Sequence, residues 1–312
     1  MGNKQRNNLK DYLTYVALRL FEMSLKMFGI KANYATAALI GDAMYFLDKR
    51  HRERAIRHLE ISFPEWDAKK VRHVARLSMR NLLYLAIEVL FTPLLITPSQ
   101  WRNHVTMVNQ KENIRHLLRE KRGAVYLTGH FGNWEVIGYT MATVGFPVYA
   151  VARALDNPYI HDHILGVRER TGMTILDKRG AAERADDIID ECGAVSFIAD
   201  QDAGRKGCFV DFFGRKASTY KSIAILAIRH EVPIIVGYGR RKGNAFDFEI
   251  GIQRIIDPSE WADKDDEVTW VTQQYTTALE EVIRTAPEQY LWVHRRWKHR
   301  PKGEEKPADG IA

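Results

Sequence analysis

From Gly123 onward the chain alternates short β-rich apolar runs with helical stretches, and no other feature restricts its fold as tightly. The runs are AVYLT, PVYAVA, MTILD, AVSFIA, PIIVGYG and AFDFEIGI, and the helical stretches lie near 133–144, 158–172, 181–191, 218–231 and 267–285. Strands apolar on both faces need cover above and below, which crossover helices supply, so the pattern predicts βαβ units around a mostly parallel central sheet flanked by helices. Residues 11–100 read instead as helical throughout, with breaks at Pro64, Thr92-Pro93 and Thr97-Pro98. The expectation is an α/β fold with a helical, membrane-associating section over 1–100, a core over 101–300 and an unfolded tail over 301–312.

At 312 residues, 46% hydrophobic and 27% charged, the chain can bury a large core and excludes disordered and fibrous classes. Lys plus Arg number 46 against 39 Asp plus Glu, a net charge of +7 that favours anionic partners: phospholipid surfaces, nucleic acid, acidic carrier proteins or phosphorylated substrates. Cys192 and Cys208 have no metal-site spacing and read as reduced, partly buried thiols of a cytoplasmic protein. The N-terminal residues MGNKQRNNLKDYL carry no secretory signal, and Arg6 breaks a myristoylation start.

The longest run free of Asp, Glu, Lys and Arg is the seventeen residues from Val136 to Ala152, and Gly145-Phe146-Pro147 interrupts it. A spanning helix needs roughly 20 apolar residues, so no transmembrane span is expected. The N-terminal helix is unusual in another way. Asp11, Tyr15, Arg19, Glu22 and Lys26 form one narrow polar stripe, while Leu13, Val16, Leu20, Phe21, Leu25 and Phe28 cover the rest. So wide an apolar face is either packed into a domain or laid into a bilayer interface.

Ligands of open α/β sheets bind outside the carboxyl ends of the strands. AVYLT runs into Gly129-His130-Phe131-Gly132-Asn133-Trp134-Glu135, PVYAVA into Arg153, and AVSFIA into Asp200-Gln201-Asp202. A histidine, an arginine and an acidic pair thus converge on one rim. Asn133 is a good helix N-cap, which puts Glu135 in the first turn, within reach of one imidazole nitrogen of His130. The other nitrogen would then take a proton from a substrate hydroxyl. The spacing itself is uninformative: His130/Glu135 and His299/Glu304 are about what chance pairing of 11 histidines with 39 acids supplies, and the second pair, in the polar tail, reads as accidental. The strand, glycine-flanked loop and capped helix set the first pair apart, although a hydrogen-bonded structural histidine remains the competing reading.

TGHFGNWEV, VARALDNPYI, IADQDAGRKGCFVDFFGRKAS and QYLWVHRRWKHRP together resemble the lysophospholipid-type acyltransferase superfamily. Within it, the chain is similar to the bacterial late acyltransferases of lipid A biosynthesis, the lauroyl and myristoyl transferases. The resemblance covers essentially the whole chain and implies a glycerol-phosphate-acyltransferase-like fold. It also implies transfer of a fatty acyl group from acyl carrier protein or coenzyme A to a hydroxyl of a membrane glycolipid, with no cofactor and no metal. His130 would be the general base and Glu135 its charge partner. Arg153 would bind phosphate or help hold the oxyanion, and Asp200 with Gln201 would line the acceptor or thioester pocket. The absence of an unbroken transmembrane helix departs from the commonest relatives and implies peripheral or monotopic attachment at the cytoplasmic face of the inner membrane. It also leaves open how closely the acceptor matches lipid A precursors.

Two basic groups fit this picture. Arg205 and Lys206 follow the acidic strand end and are placed, with Asn133, among the substrate-binding residues. Arg295, Arg296, Lys298, Arg300 and Lys302 interleave with Trp292 and Trp297, as expected of a chain resting at headgroup depth on an anionic leaflet or docking an acidic carrier. Nucleic-acid motifs, a GxSxG elbow, a P-loop and a dinucleotide fingerprint are absent, and His161-Asp162-His163 reads as surface rather than metal site. Two rival readings stay open: acylation of another glycolipid or a lysophospholipid, and a catalytically silent basic peripheral membrane protein on the same scaffold.

Overall fold

The computed structural model describes residues 8–109, 123–152, 154–170, 172–177 and 181–303. Arg153 and the tail from residue 304 therefore lie outside the described residues. The N-terminal section is four helices: α1 (Asn8–Lys26), α2 (Ile30–Leu47), α3 (Lys49–Ser62) and α4 (Ala68–Leu95). Pro64 separates α3 from α4, but α4 continues two residues past Pro93 and stops at Ile96. The expected break at Thr92-Pro93 is therefore absent: the proline removes one N–H from the final turn of α4 without ending the helix, which closes with the Ile96 N–H donating to the Thr92 carbonyl.

The remainder alternates as its pattern predicts. The strands are β1 (Val105–Val108), β2 (Ala124–Thr128), β3 (Val148–Ala152), β4 (Met173–Asp177), β5 (Ala194–Ile198), β6 (Cys208–Phe212), β7 (Arg215–Thr219), β8 (Ile234–Arg241) and β9 (Phe248–Ile256). The helices are α5 (Trp134–Thr143), α6 (Pro158–Glu169), α7 (Ala181–Asp190), α8 (Lys221–Arg229) and α9 (Glu267–Thr285). Seven strands form one sheet in the order β1-β9-β8-β2-β5-β3-β4, parallel in every pair except β8 with β9. β6 and β7 form a separate antiparallel hairpin.

Apolar burial on both sides holds the sheet. Val125, Leu127, Val195, Ile234 and Val236 pack with Ala185 of α7, Ile223 of α8, and Val271 and Tyr275 of α9. Phe248 and Ile250 pack with Val136 and Tyr139 of α5, and with Tyr34, Tyr84 and Phe91 of α2 and α4. Each such aliphatic side chain, fully buried, contributes about 1.5–3 kcal/mol. A third cluster joins Leu59 of α3 and Phe63, which caps it, to Phe212, Phe213, Trp292 and Trp297. Trp292 and Trp297 are thus core residues, 0% and 3% exposed, and Arg296 is buried with them. The expected headgroup-depth cluster is corrected here: aromatic filling between α3 and the hairpin accounts for the tryptophans, and Arg296 donates to the Ser218 carbonyl (2.6 Å) and Thr219 Oγ1 (2.7 Å).

No helix among the described residues is long and apolar enough to cross a membrane. α1 is turned inside out relative to an ordinary surface helix. Its one buried residue is Glu22, whereas Leu13, Leu20 and Phe21 are exposed, as are Met27 and Phe28 just beyond its end. The polar stripe faces α6: His163 Nε2 lies 3.2 Å from Glu22, Arg19 2.7 Å from His163 Nδ1, and Asn157 donates to the Asp11 carbonyl (2.8 Å). The same contacts explain His161-Asp162-His163, since His163 is a docking residue for α1.

Candidate active site

β2 and β5 are adjacent, parallel and paired in register, Thr128 opposite Ile198. His130 and Asp200 each stand two residues beyond that last pair, so their loops leave the sheet side by side. The Asp200 carboxylate accepts from the His130 backbone N–H (2.8 Å) and lies 2.7 Å from ring Nδ1. This corrects the expected partner. Glu135 is in the first turn of α5, as the Asn133 cap requires, but its carboxylate is held there in a bidentate pair with Arg168 of α6 (Nε to Oε2, 3.0 Å). The imidazole nitrogen expected to meet Glu135 meets Asp200.

Burial alone would lower the His130 pKa, but the Asp200 charge and hydrogen bond outweigh it and the net shift is upward. Burial would likewise raise Asp200, yet His130 and the buried Arg296 bring it below the ordinary carboxylate value. With Nδ1 committed to Asp200, Nε2 is the proton-accepting position, and the Gln201 side chain lies 3.2 Å from it. His130, Asp200 and Gln201 therefore come together as a strand-end constellation.

The loop is fixed from below. Gly132 has φ +56°, and a Cβ there would stand 2.0 Å from the Gly239 carbonyl oxygen, so glycine is required where the loop crosses β8. Asn133 caps α5 through Val136 N–H (3.0 Å) and donates its amide to Glu88 (2.8 Å). Glu88 is fully buried and also takes Arg241 (2.7 Å) and the Tyr34 hydroxyl (2.9 Å), while Arg241 reaches Asn81 (2.6 Å). Removing one member of such a buried pair typically costs about 3–5 kcal/mol. Asn133 is thus built into a buried network beneath the loop, not into the substrate-binding rim expected of it.

Beside the constellation lies a cavity of about 230 Å³ between β2, β3, β4, β5 and α5, with Ile137, Met141, Phe146, Ala150, Met173 and Ile175 on its wall. Among the described residues, the charged ones on the wall are Glu135 and Arg168. Trp134 also lines it and packs edge-on against the His130 ring at 4.8 Å, which places the imidazole at the cavity's border.

Arg205 and Lys206 are exposed on the turn closed by Gly207 N–H to Gly204 O. His299, whose spacing to Glu304 reads as accidental, takes Asp202 at 2.6 Å instead, a His–Asp contact of the same form as His130–Asp200. Cys208 is half-buried but Cys192 is exposed, so only one thiol is partly buried as expected. No cluster of three or more metal-ligating side chains occurs among the described residues. Sequence reasoning missed Arg168 and His294, which stacks 5.7 Å from His130. An arginine in the last turn of α6 and a histidine in a basic C-terminal run carry no local signal of their distant partners.

Comparison with known proteins identifies the family. The model of the bacterial lipid A biosynthesis acyltransferase family matches residues 2–299. The chain is 28% identical to the lipid A biosynthesis lauroyltransferase of Escherichia coli K12 over 258 residues, covering 82% of this chain and 81% of that protein. It is 26% identical to the palmitoleoyltransferase of the same organism, with 82% and 81% covered. It is also 24% identical to the phosphatidylinositol mannoside acyltransferase of Mycolicibacterium smegmatis over 56% of this chain and 57% of that one. With the family model spanning nearly the whole sequence, the chain belongs to the bacterial lipid A biosynthesis acyltransferase family and is an acyltransferase.

Proposed function

We propose that this acyltransferase moves a fatty acyl chain from a thioester of acyl carrier protein or coenzyme A to a hydroxyl of a membrane glycolipid of the lipid A precursor class, with His130 as general base. The observation that carries this reading is the His130–Asp200 pair at the border of an apolar cavity. The acceptor hydroxyl gives its proton to His130 Nε2 while its oxygen bonds to the thioester carbonyl carbon. The tetrahedral intermediate then expels the thiolate, which takes the proton back from His130. Asp200 holds the ring in the tautomer this requires and stabilises the imidazolium between the two steps. The apolar cavity suits the acyl chain, with the Glu135–Arg168 pair as the polar patch on its wall.

The outward apolar face of α1 supports a second part of the reading, attachment to the bilayer interface of the inner membrane from the cytoplasmic side. A helix that buries a glutamate and exposes Leu13, Leu20 and Phe21, with Phe28 exposed just beyond it, has its hydrophobic surface free for lipid, and the net charge of +7 suits an anionic leaflet. Arg205 and Lys206, on the exposed turn beyond Asp202, suit an anionic donor or headgroup.

The test is product identification. Purified protein is given lauroyl-acyl carrier protein, lauroyl-coenzyme A and a total bacterial lipid extract, and the lipids are read by mass spectrometry. One lauroyl mass added to a glycolipid supports the reading. A gain on lysophospholipid alone would replace the acceptor, and thioester binding with no mass gain would favour the silent scaffold.

A further inference from the structure

The base is flanked by a second imidazole whose position is as firmly built as its own. Residues 289–297 run back along the His130 loop: Gly132 N–H donates to the Gln289 carbonyl (3.0 Å), Leu291 N–H to the His130 carbonyl (3.1 Å), and Phe131 faces Tyr290 as an antiparallel bridge. From α3, Arg54 donates to the Val293 carbonyl (3.1 Å) and His58 Nδ1 to that of Trp292 (2.9 Å). Beyond, Arg296 is buried and held at Ser218 and Thr219. Between these anchors the half-buried His294 ring stands 5.7 Å from the His130 ring, 18° from parallel, with no side-chain hydrogen bond to any described residue.

An imidazole whose backbone is anchored on both sides, yet whose ring has no hydrogen-bond partner among the described residues, has its nitrogens available to a ligand. Burial and the neighbouring charges of His130, Arg296 and Arg54 lower its pKa, against the pull of Asp200, so at neutral pH it carries one N–H donor and no charge. Acyl transfer needs a donor aimed at the carbonyl oxygen as that oxygen becomes negative. Three amides of the loop are already engaged: His130 N–H with Asp200, Gly132 N–H with Gln289 and Asn133 N–H with the Gly239 carbonyl.

We infer that His294 donates its ring N–H to the thioester carbonyl oxygen and holds the oxyanion of the tetrahedral intermediate, as a further catalytic residue of the acyl transfer. The inference rests on the acyl-transfer reading above. As the acceptor oxygen bonds to the carbonyl carbon, its proton passes to His130 and the carbonyl π pair moves onto the oxygen, where His294 meets it. Collapse restores the C=O bond and breaks the C–S bond, and the departing thiolate takes the proton from His130. His294 neither gains nor loses a proton.

The experiment measures kcat and donor KM for lauroyl-acyl carrier protein, with a lipid A precursor in excess, in the wild type, His130→Ala, His294→Phe, His294→Ala and His294→Gln. Loss of one oxyanion donor costs roughly 10²–10³ in kcat. His294→Phe and His294→Ala are expected to show that loss with donor KM changed by less than about threefold, and His294→Gln, which keeps an N–H donor, to regain at least about tenfold over alanine. Turnover of His294→Ala within about threefold of wild type overturns the inference, as does a loss seen in KM alone or a glutamine variant no better than phenylalanine. Should the alanine and phenylalanine variants fail to fold, glutamine at more than about a hundredfold below wild type, with unchanged melting, also overturns it. A wild type that transfers nothing would sink the acyl-transfer reading itself, whereas an active wild type indifferent to residue 294 sinks this inference alone.

Discussion

Asp200 holds His130 twice, at ring Nδ1 (2.7 Å) and at its backbone N–H (2.8 Å), so one carboxylate fixes both the imidazole and the peptide that carries it. The contact follows from strand register. Thr128 and Ile198 are paired, and each residue of the dyad lies two positions further on. Gly129 allows the approach, since a Cβ there would already stand 3.3 Å from the Asp200 carboxylate.

Asp200→Asn separates orientation from acidity. The Asp200 charge holds the His130 pKa above its ordinary value, and a base must be neutral to accept a proton. Wild-type transfer should therefore rise with pH through an acidic limb above about 6.5, the ordinary imidazole value. In Asp200→Asn burial acts unopposed, so the limb should move to lower pH while the plateau falls by roughly 10²–10⁴ through loss of the correct tautomer. A pH–rate profile with an unmoved limb would contradict the pairing.

Glu135 and Arg168 should behave as one unit distinct from the dyad. Glu135→Ala and Arg168→Ala are each expected to lower transfer roughly tenfold, and the double variant no further, a coupling of about 1–2 kcal/mol. Neither should move the acidic limb. Additive losses, or a limb shifted by Glu135→Ala, would return Glu135 to the imidazole.

Much of this was legible in the sequence, and what was not has identifiable causes. β2, β3, β4, β5 and β8 are continuous apolar runs and were readable at their observed places, as was the convergence of His130, Asp200 and Gln201 on one rim. The β6–β7 hairpin was not, because its two-residue turn uses Phe213 at φ +53° before Gly214 at φ +70°, where Asn-Gly or Gly-Gly would have announced it. β1 has only four residues, too few for a period. Proximity in sequence points His130 to Glu135, whereas its pairing with Asp200 across seventy residues depends on a strand register that sequence does not print. Trp292 and Trp297 misled because basic residues beside tryptophan look alike at a membrane surface and over a buried aromatic core.

His58 makes stability depend on pH. It is buried against Trp297 with its pKa lowered to about 4, chiefly by burial. Below about 6.5 the unfolded chain binds a proton the folded chain refuses, so stability should fall as pH drops from about 6.5 to about 4, by up to about 3 kcal/mol from this residue. His58→Gln keeps a donor to the Trp292 carbonyl and cannot titrate. Its melting temperature should vary less across that window than the wild type's, and equal slopes would contradict the assignment.

The apolar face of α1, with Phe28 just beyond it, should govern membrane association. Leu13→Ser, Phe21→Ser and Phe28→Ser together alter exposed residues and should leave melting unchanged. Co-sedimentation with phosphatidylethanolamine/phosphatidylglycerol vesicles should fall at least about tenfold, as loss of roughly 0.8 kcal/mol per buried CH₂ requires. Undiminished sedimentation would place the lipid contact elsewhere.

The most direct test of the central claim is the transfer rate of His130→Ala, with lauroyl-acyl carrier protein as donor and the glycolipid identified by mass spectrometry as acceptor. A general base is worth about 10²–10⁴ in rate, so the variant should fall by that factor while melting and thioester binding stay at wild-type values. Transfer by His130→Ala within about threefold of wild type would mean that another group takes the acceptor's proton, and general-base catalysis by His130 would be contradicted.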